Sequence, residues 1–202
     1  MEPDVPLRER LIDVGVELVR SEGTGSLGLR EIARRAGVSH GAPRRYFPTH
    51  QSLLSAIARR GFGELGARFL AAGADRPAPR DHVRALGRAY VAYALEQPGM
   101  FALMFRHDLL DSTGQEAPGG PRLREQTLPL FALLTGLVGA CGAAEPEVSA
   151  AALWAGLHGV AQLWGYGSLP LVLGGGADGG AGPGLDALVD AVVNAHLGAG
   201  PA

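Results

Sequence analysis

The stretch from Leu27 to His50, LGLREIARRAGVSHGAPRRYFPTH, leaves little freedom in what this chain can become. Leu29, Ile32, Ala33 and Ala36 recur at helical spacing and give a short helix one small apolar face, with Arg30, Glu31, Arg34 and Arg35 off that face. Gly37, just past the last periodic residue, suits the left-handed conformation that closes a helix, and Ser39 is a good N-cap for a following one. Ala36-Gly37-Val38-Ser39 therefore has the pattern of a helix-turn-helix, with Val38 as its buried pin. The second helix is expected from His40 to about Phe47, where Pro48 stops it. It carries His40, Arg44, Arg45 and Tyr46 with almost no apolar surface, so its partner is polar, and the major groove of DNA fits a helix presented in this way.

Charge bears on that expectation through its distribution. The 202-residue chain has a formal net charge of −2, which spread evenly would argue against nucleic acid. Between residues 30 and 60, however, Arg30, Arg34, Arg35, Arg44, Arg45, Arg59 and Arg60 face Glu31 alone. From 121 onward Arg122 and Arg124 are outnumbered by Glu125, Glu145, Glu147, Asp178, Asp186 and Asp190. A basic N-terminal module thus precedes an acidic C-terminal one. A solvated helix face would account for any single arginine; a cluster on a helix-turn-helix points to DNA. The 47% hydrophobic content suffices for a real core.

The run REIARRAGVSHGAPRRYFPTHQSLL resembles the DNA-binding segment of the TetR family of transcriptional regulators, where an IA..AGVS.GT.Y.HF..KE.LL pattern recurs. Ile32, Ala33, Ala36, Gly37, Val38, Ser39, Gly41, Phe47, Leu53 and Leu54 match it. Pro43 and Arg44 stand where the family usually has an apolar residue and a phosphate-touching tyrosine, and His50 where it has lysine. The expected DNA contacts are Arg30, Ser39, His40, Arg44, Arg45, Tyr46 and His50, with Arg44 on a phosphate by its matched position. The resemblance implies a repressor released by a small molecule.

In chain order, Leu7, Leu11, Val14 and Leu18 predict an amphipathic helix from Leu7 to about Arg20. Thr49 caps a long helix to about Ala72, with a stripe of Leu53, Leu54, Ile57, Phe62, Leu65 and Phe69. Arg80 to Glu96 is a helix broken by Pro98-Gly99, and a short apolar helix from Met100 runs to about Leu110. Asp111 to Pro121 is a loop by composition. Leu123 to about Cys141, a helix opened by Glu145-Pro146-Glu147, and Leu185 to Leu197 complete the count, with a glycine-rich loop from Leu173 to Gly184. The fold class is all-α: a helix-turn-helix domain over 1–50, completed by the start of the next helix to about 60, and a helical regulatory and dimerisation domain over 51–202.

Aromatic and thioether side chains suit irregular apolar ligands, so a cavity lined by some of Tyr93, Phe101, Met104, Phe105, Trp154 and His158 is expected; an ordinary core would use the same residues. His158 on an apolar face is most simply a core residue satisfied by one hydrogen bond, and more sharply a polar anchor for an effector. The Trp-x-x-x-His-Gly pattern at 154–159 is similar to one in the regulatory domain of a TetR subgroup. No catalytic residue, cofactor or metal site is expected: His107, His158 and His196 fall on separate helices without supporting acids, there is no HExxH, and the chain has no lysine for a nucleotide-binding loop. Cys141 alone excludes an internal disulfide. The uncharged runs Thr127–Ala144 and Val148–Ala177 are long enough to span a membrane, but their prolines, glycines and weak hydropathy argue against it, and helices apolar nearly all round are expected instead when a partner subunit covers one face. The chain is thus expected to be a cytoplasmic homodimer binding a double-stranded DNA operator. A small-molecule-binding or scaffold protein with a vestigial helix-turn-helix is the alternative of another class, and Arg44 and Arg45 argue against it; an activator is the alternative within the same class.

Overall fold

A computed structural model describes residues 6–75, 78–110, 123–173 and 183–198. The described residues are helical with no strand: α1 (Leu7–Glu22), α2 (Leu29–Arg35), α3 (His50–Gly73), α4 (Pro79–Glu96), α5 (Pro98–Met104), α6 (Leu123–Ala140), α7 (Pro146–Gly165), α8 (Ser168–Val172) and α9 (Pro183–Leu197), with 3₁₀ turns at Thr24–Ser26 and Ala42–Arg45. No described helix is long and apolar enough to cross a membrane. The loop expected over 111–121 and most of the glycine-rich loop lie outside the described residues.

By contact the chain divides into two compact units, one of 1–64 with 97–127, the other of 65–96 with 128–202. In the first, Leu11, Leu18, Val19, Ile32, Phe47, Leu53 and Ile57 from α1, α2 and α3 are almost wholly out of water, each such side chain contributing about 1.5–3 kcal/mol. The same unit takes in α5, which lies far along the chain. Met100, Leu103 and Met104 are fully buried there, and Gly99 lets α5 approach α1 so closely that an added Cβ would sit 2.1 Å from the Val19 carbonyl oxygen. The periodic pattern from Met100 predicted a helix to about Leu110. It ends at Met104 instead, with Phe105 as C-cap and Arg106 turned back onto Asp108. The helix also begins earlier, because Pro98 fits an N-terminal turn whose N–H groups have no partner to lose.

The second unit packs α4, α7 and α9 together, with Val83, Leu86, Leu153, Leu157, Val189 and Val193 inside. Arg84 and Arg88 of α4 pair with Asp186 and Asp190 of α9, and Arg80 donates to Asn194 and to the Leu197 and Gly198 carbonyls, closing the end of α9. The short helix α8 follows α7 through Gly167, at φ 79°, and leaves Leu171 and Val172 exposed.

Candidate nucleic-acid interface

The turn after α2 forms as its residues dictate. Gly37 has φ 68°, a conformation that penalises any Cβ. Its N–H donates to Arg34 O at 3.2 Å while Val38 N–H donates to Ala33 O at 3.0 Å, the paired bonds that satisfy the last carbonyls of a helix. Ile32, Ala33 and Ala36 are buried as the spacing requires, and Val38 is half-buried.

The segment that follows departs from the expected helix. Only Ala42–Arg45 coil, as a 3₁₀ turn, and Ser39 caps nothing with its hydroxyl. Pro43 has no N–H to give the Ser39 carbonyl, so Ala42 N–H bonds that carbonyl at 2.9 Å and tightens the turn; Gly41 adds its own cost to a regular helix. Pro43 and Phe47 are buried and anchor the segment, with the Arg8 guanidinium 5.5 Å from the Phe47 ring centroid. Ser39, His40, Arg44, Arg45 and Tyr46 remain exposed on the same short stretch, and Arg30 is exposed on α2. Residues in a 3₁₀ turn are about 120° apart, so Arg44 and Arg45 leave in different directions.

Thr49 opens α3 with a reciprocal cap: Ser52 N–H donates to Thr49 Oγ1 at 3.0 Å, and Thr49 N–H to Ser52 Oγ at 3.3 Å. Beside it His50 Nε2 lies 2.5 Å from the Leu27 carbonyl, so the ring carries its proton there and ties the start of α3 to the start of the α2 segment. Of the predicted contact residues, His50 is thus the one whose side chain makes a hydrogen bond among the described residues.

The seven arginines of residues 30–60 are not equivalent. Arg34 and Arg35 bond Glu31, Arg35 also bonds Glu22, Arg60 bonds Glu9 and Asp13, and Arg59 is engaged as well. Arg30, Arg44 and Arg45 have no acidic partner among the described residues. The positive charge left for an outside partner is therefore concentrated on the start of α2 and on the 3₁₀ turn. Glu31 lies at i−3 and i−4 from its two partners, a spacing visible in the sequence; Glu22 is brought in only by the α1–α2 fold.

The six residues expected around an effector divide between the two units. Phe101, Met104 and Phe105 belong to the first, where the Phe101 and Phe105 ring centroids are 4.9 Å apart, Phe62 meets Phe105 edge-on at 5.6 Å, and Met104 is fully buried. Tyr93, Trp154 and His158 belong to the second. There Trp154 Nε1 donates to Tyr90 Oη at 3.0 Å, and Tyr90 Oη lies 2.8 Å from His158 Nδ1. Burial lowers the His158 pKa from its ordinary value and raises that of Tyr90, so both stay neutral near pH 7. Phe131 meets Trp154 edge-on at 6.4 Å, and Trp154 stays 37% exposed. Tyr90, buried on α4, is the joint of this group; no sequence signal links it to a helix more than sixty residues on.

Residues 11–57 match the profile described as bacterial regulatory proteins, tetR family, and residues 83–194 the profile described as tetracyclin repressor-like, C-terminal domain. The chain is 36% identical over 81 residues to the HTH-type transcriptional regulator BetI of Rhizobium meliloti (strain 1021), a stretch that spans 40% of each protein. The fold is similar to that of a protein of unknown function from Rhodococcus sp. RHA1, with TM-score 0.74 and 26% identity, covering 98% of this chain and 97% of that one. It is also similar to BioQ, solved with its double-stranded DNA operator, with TM-score 0.62 and 17% identity, covering 92% of this chain and 97% of BioQ.

Proposed function

The chain belongs to the TetR family of DNA-binding transcriptional regulators, and from that premise we propose that two copies bind a palindromic operator and release it when a small apolar or amphipathic molecule occupies the regulatory unit. The observation that carries the DNA half is the set of exposed Arg30, Arg44 and Arg45, without acidic partners among the described residues, around a well-formed turn. Arg30 and Arg44 take phosphates; Ser39, His40, Arg45 and Tyr46 face the base edges; His50 holds the entry to α3, whose first N–H groups point to a phosphate.

Pairing of copies rests on α7, whose Val148, Ala151, Ala152, Ala155 and Leu163 recur on one exposed face continued by the C-cap Tyr166, and on α9, whose exposed Ala187, Ala191 and Ala195 are small enough for close helix crossing. Two recognition segments then meet successive major-groove turns about 34–36 Å apart, and an effector that favours another spacing weakens binding by no more than its differential affinity for the two states. On the same reading the effector sits beside Trp154 and His158, a placement supported by partly exposed ring surface and polar groups joined through Tyr90. The role needs no catalysis and no cofactor, and its DNA target places the protein in the cytoplasm. Ser39 between Gly37 and Gly41 has the spacing of a hydrolase nucleophile elbow, but it follows a helix and not a strand.

Selection from a random duplex library with the purified protein tests the proposal. Enrichment of an inverted repeat with half-sites about one helical turn or a multiple apart is expected; enrichment of an asymmetric site, or none, would refute paired binding.

A further inference from the structure

The arginines near the interface differ in one respect that affects how the protein binds any DNA at all. Glu31 Oε2 accepts from Arg34 Nε at 2.9 Å, and Glu31 Oε1 accepts from Arg34 Nη2 at 2.6 Å and from Arg35 Nε at 2.7 Å. Glu22 Oε1 accepts the remaining Arg35 Nη2 at 2.5 Å. Two carboxylates and two guanidiniums close on one another with no net charge. Arg34 nonetheless lies one turn from the unpaired Arg30 on α2, with its side chain 65% exposed, on the helix that in this motif crosses the sugar-phosphate backbone.

We propose that Glu31 is a positioning residue that holds Arg34 away from the DNA backbone and so limits the sequence-independent part of the protein's DNA affinity. The inference rests on the DNA-binding role proposed above. Sequence-independent affinity is a sum over phosphates neutralised, each releasing counterions. A phosphate reaching for Arg34 has to displace a carboxylate that already holds it through two parallel N–H bonds, the strongest geometry open to a guanidinium. The Glu31 carboxyl, held down to about 2 by its hydrogen bonds from Arg34 and then Arg35, is ionised near neutral pH. Weak background binding matters to a regulator because competing non-operator sites vastly outnumber operators.

Glu31→Gln keeps the size and helix propensity of the side chain while removing its charge. Anisotropy titrations over a salt series, on a mixed-sequence duplex and on the selected operator, read the outcome. Each Arg34 released onto a phosphate steepens the salt dependence by about 0.9, or about 1.8 for a dimer, and raises affinity for mixed-sequence DNA at about 0.1 M salt by up to about 60-fold. Arg34→Gln in the otherwise unaltered protein is expected to leave the slope as it was, and the double variant Glu31→Gln/Arg34→Gln to return it to the starting value. An unaltered slope in Glu31→Gln, weaker binding to both duplexes, or a shallower slope in Arg34→Gln alone overturns the proposal. The Arg34→Gln arm stands even where Glu31→Gln proves unstable. Failure of the unsubstituted chain to bind either duplex overturns the DNA-binding role and this proposal with it, whereas a flat Glu31→Gln response against normal binding overturns this proposal alone.

Discussion

Replacing Arg44 by alanine separates phosphate contact from base reading at the position where this chain departs most from its family's usual pattern. Arg44 is exposed, has no acidic partner among the described residues, and sits in a 3₁₀ turn whose backbone is anchored by buried Pro43 and Phe47. Truncation should therefore leave the fold intact. With Arg30 and Arg44 of each copy on phosphates, a dimer offers about four such contacts, a salt slope of about −3.6, and a loss of roughly 150-fold in affinity between about 50 and 200 mM salt. Arg44→Ala removes two of the four, so the slope should fall in magnitude by about 1.8 on operator and scrambled DNA alike. Anisotropy at four or more salt concentrations resolves a change of that size. An unaltered slope, with relaxed preference at a single base pair worth about 1–3 kcal/mol, would show that Arg44 reads a guanine edge and that the phosphate assignment is wrong.

Gly99→Ala should destabilise by about 2–3 kcal/mol, since its methyl meets the Val19 carbonyl, a backbone atom unable to swing away; at about 2–4 °C per kcal/mol for a chain of this length the thermal midpoint falls by roughly 5–10 °C. Gly63→Ala, exposed in α3 with its nearest neighbour 4.0 Å away, should gain up to about 1 kcal/mol from helix propensity, and the reverse order of the two midpoints would contradict the packing described. The His158 pKa is lowered in the folded chain by burial, so the unfolded chain binds the proton more readily; that contribution is complete above about pH 6.5 and is lost as pH falls through the folded value. Calorimetry from about pH 7.5 down to about 5.5 should show a falling midpoint that is less steep in His158→Gln, and parallel curves for the two proteins would sink the assignment. Ala155→Arg, on the exposed face of α7, is expected to leave secondary structure unaltered, yield monomers in sedimentation velocity and weaken operator binding; an intact dimer would place the interface elsewhere.

Local chemistry is what the sequence carries most directly. The period of Leu29, Ile32, Ala33 and Ala36 and the glycine at 37 were enough for the turn, because a left-handed residue and the bonds that close a helix involve neighbours only. Thr49 was legible as a cap for the same reason, and so were α4, α6 and α9 to within a few residues. The segment after Ser39 reads as a full helix between a capping serine and Pro48, but the missing N–H of Pro43 faces the Ser39 carbonyl and tightens the coil to a 3₁₀ turn. Three features came from tertiary structure alone. Placing α5 in the first unit depends on close approach between Gly99 and Val19, residues eighty apart in sequence with no shared periodicity. The joining of Trp154 and His158 through Tyr90 depends on α4 meeting α7. Which arginines stay available to DNA depends on where Glu9, Asp13 and Glu22 of α1 arrive, and a count of charges along the chain cannot distinguish a guanidinium held by a distant carboxylate from one left in water.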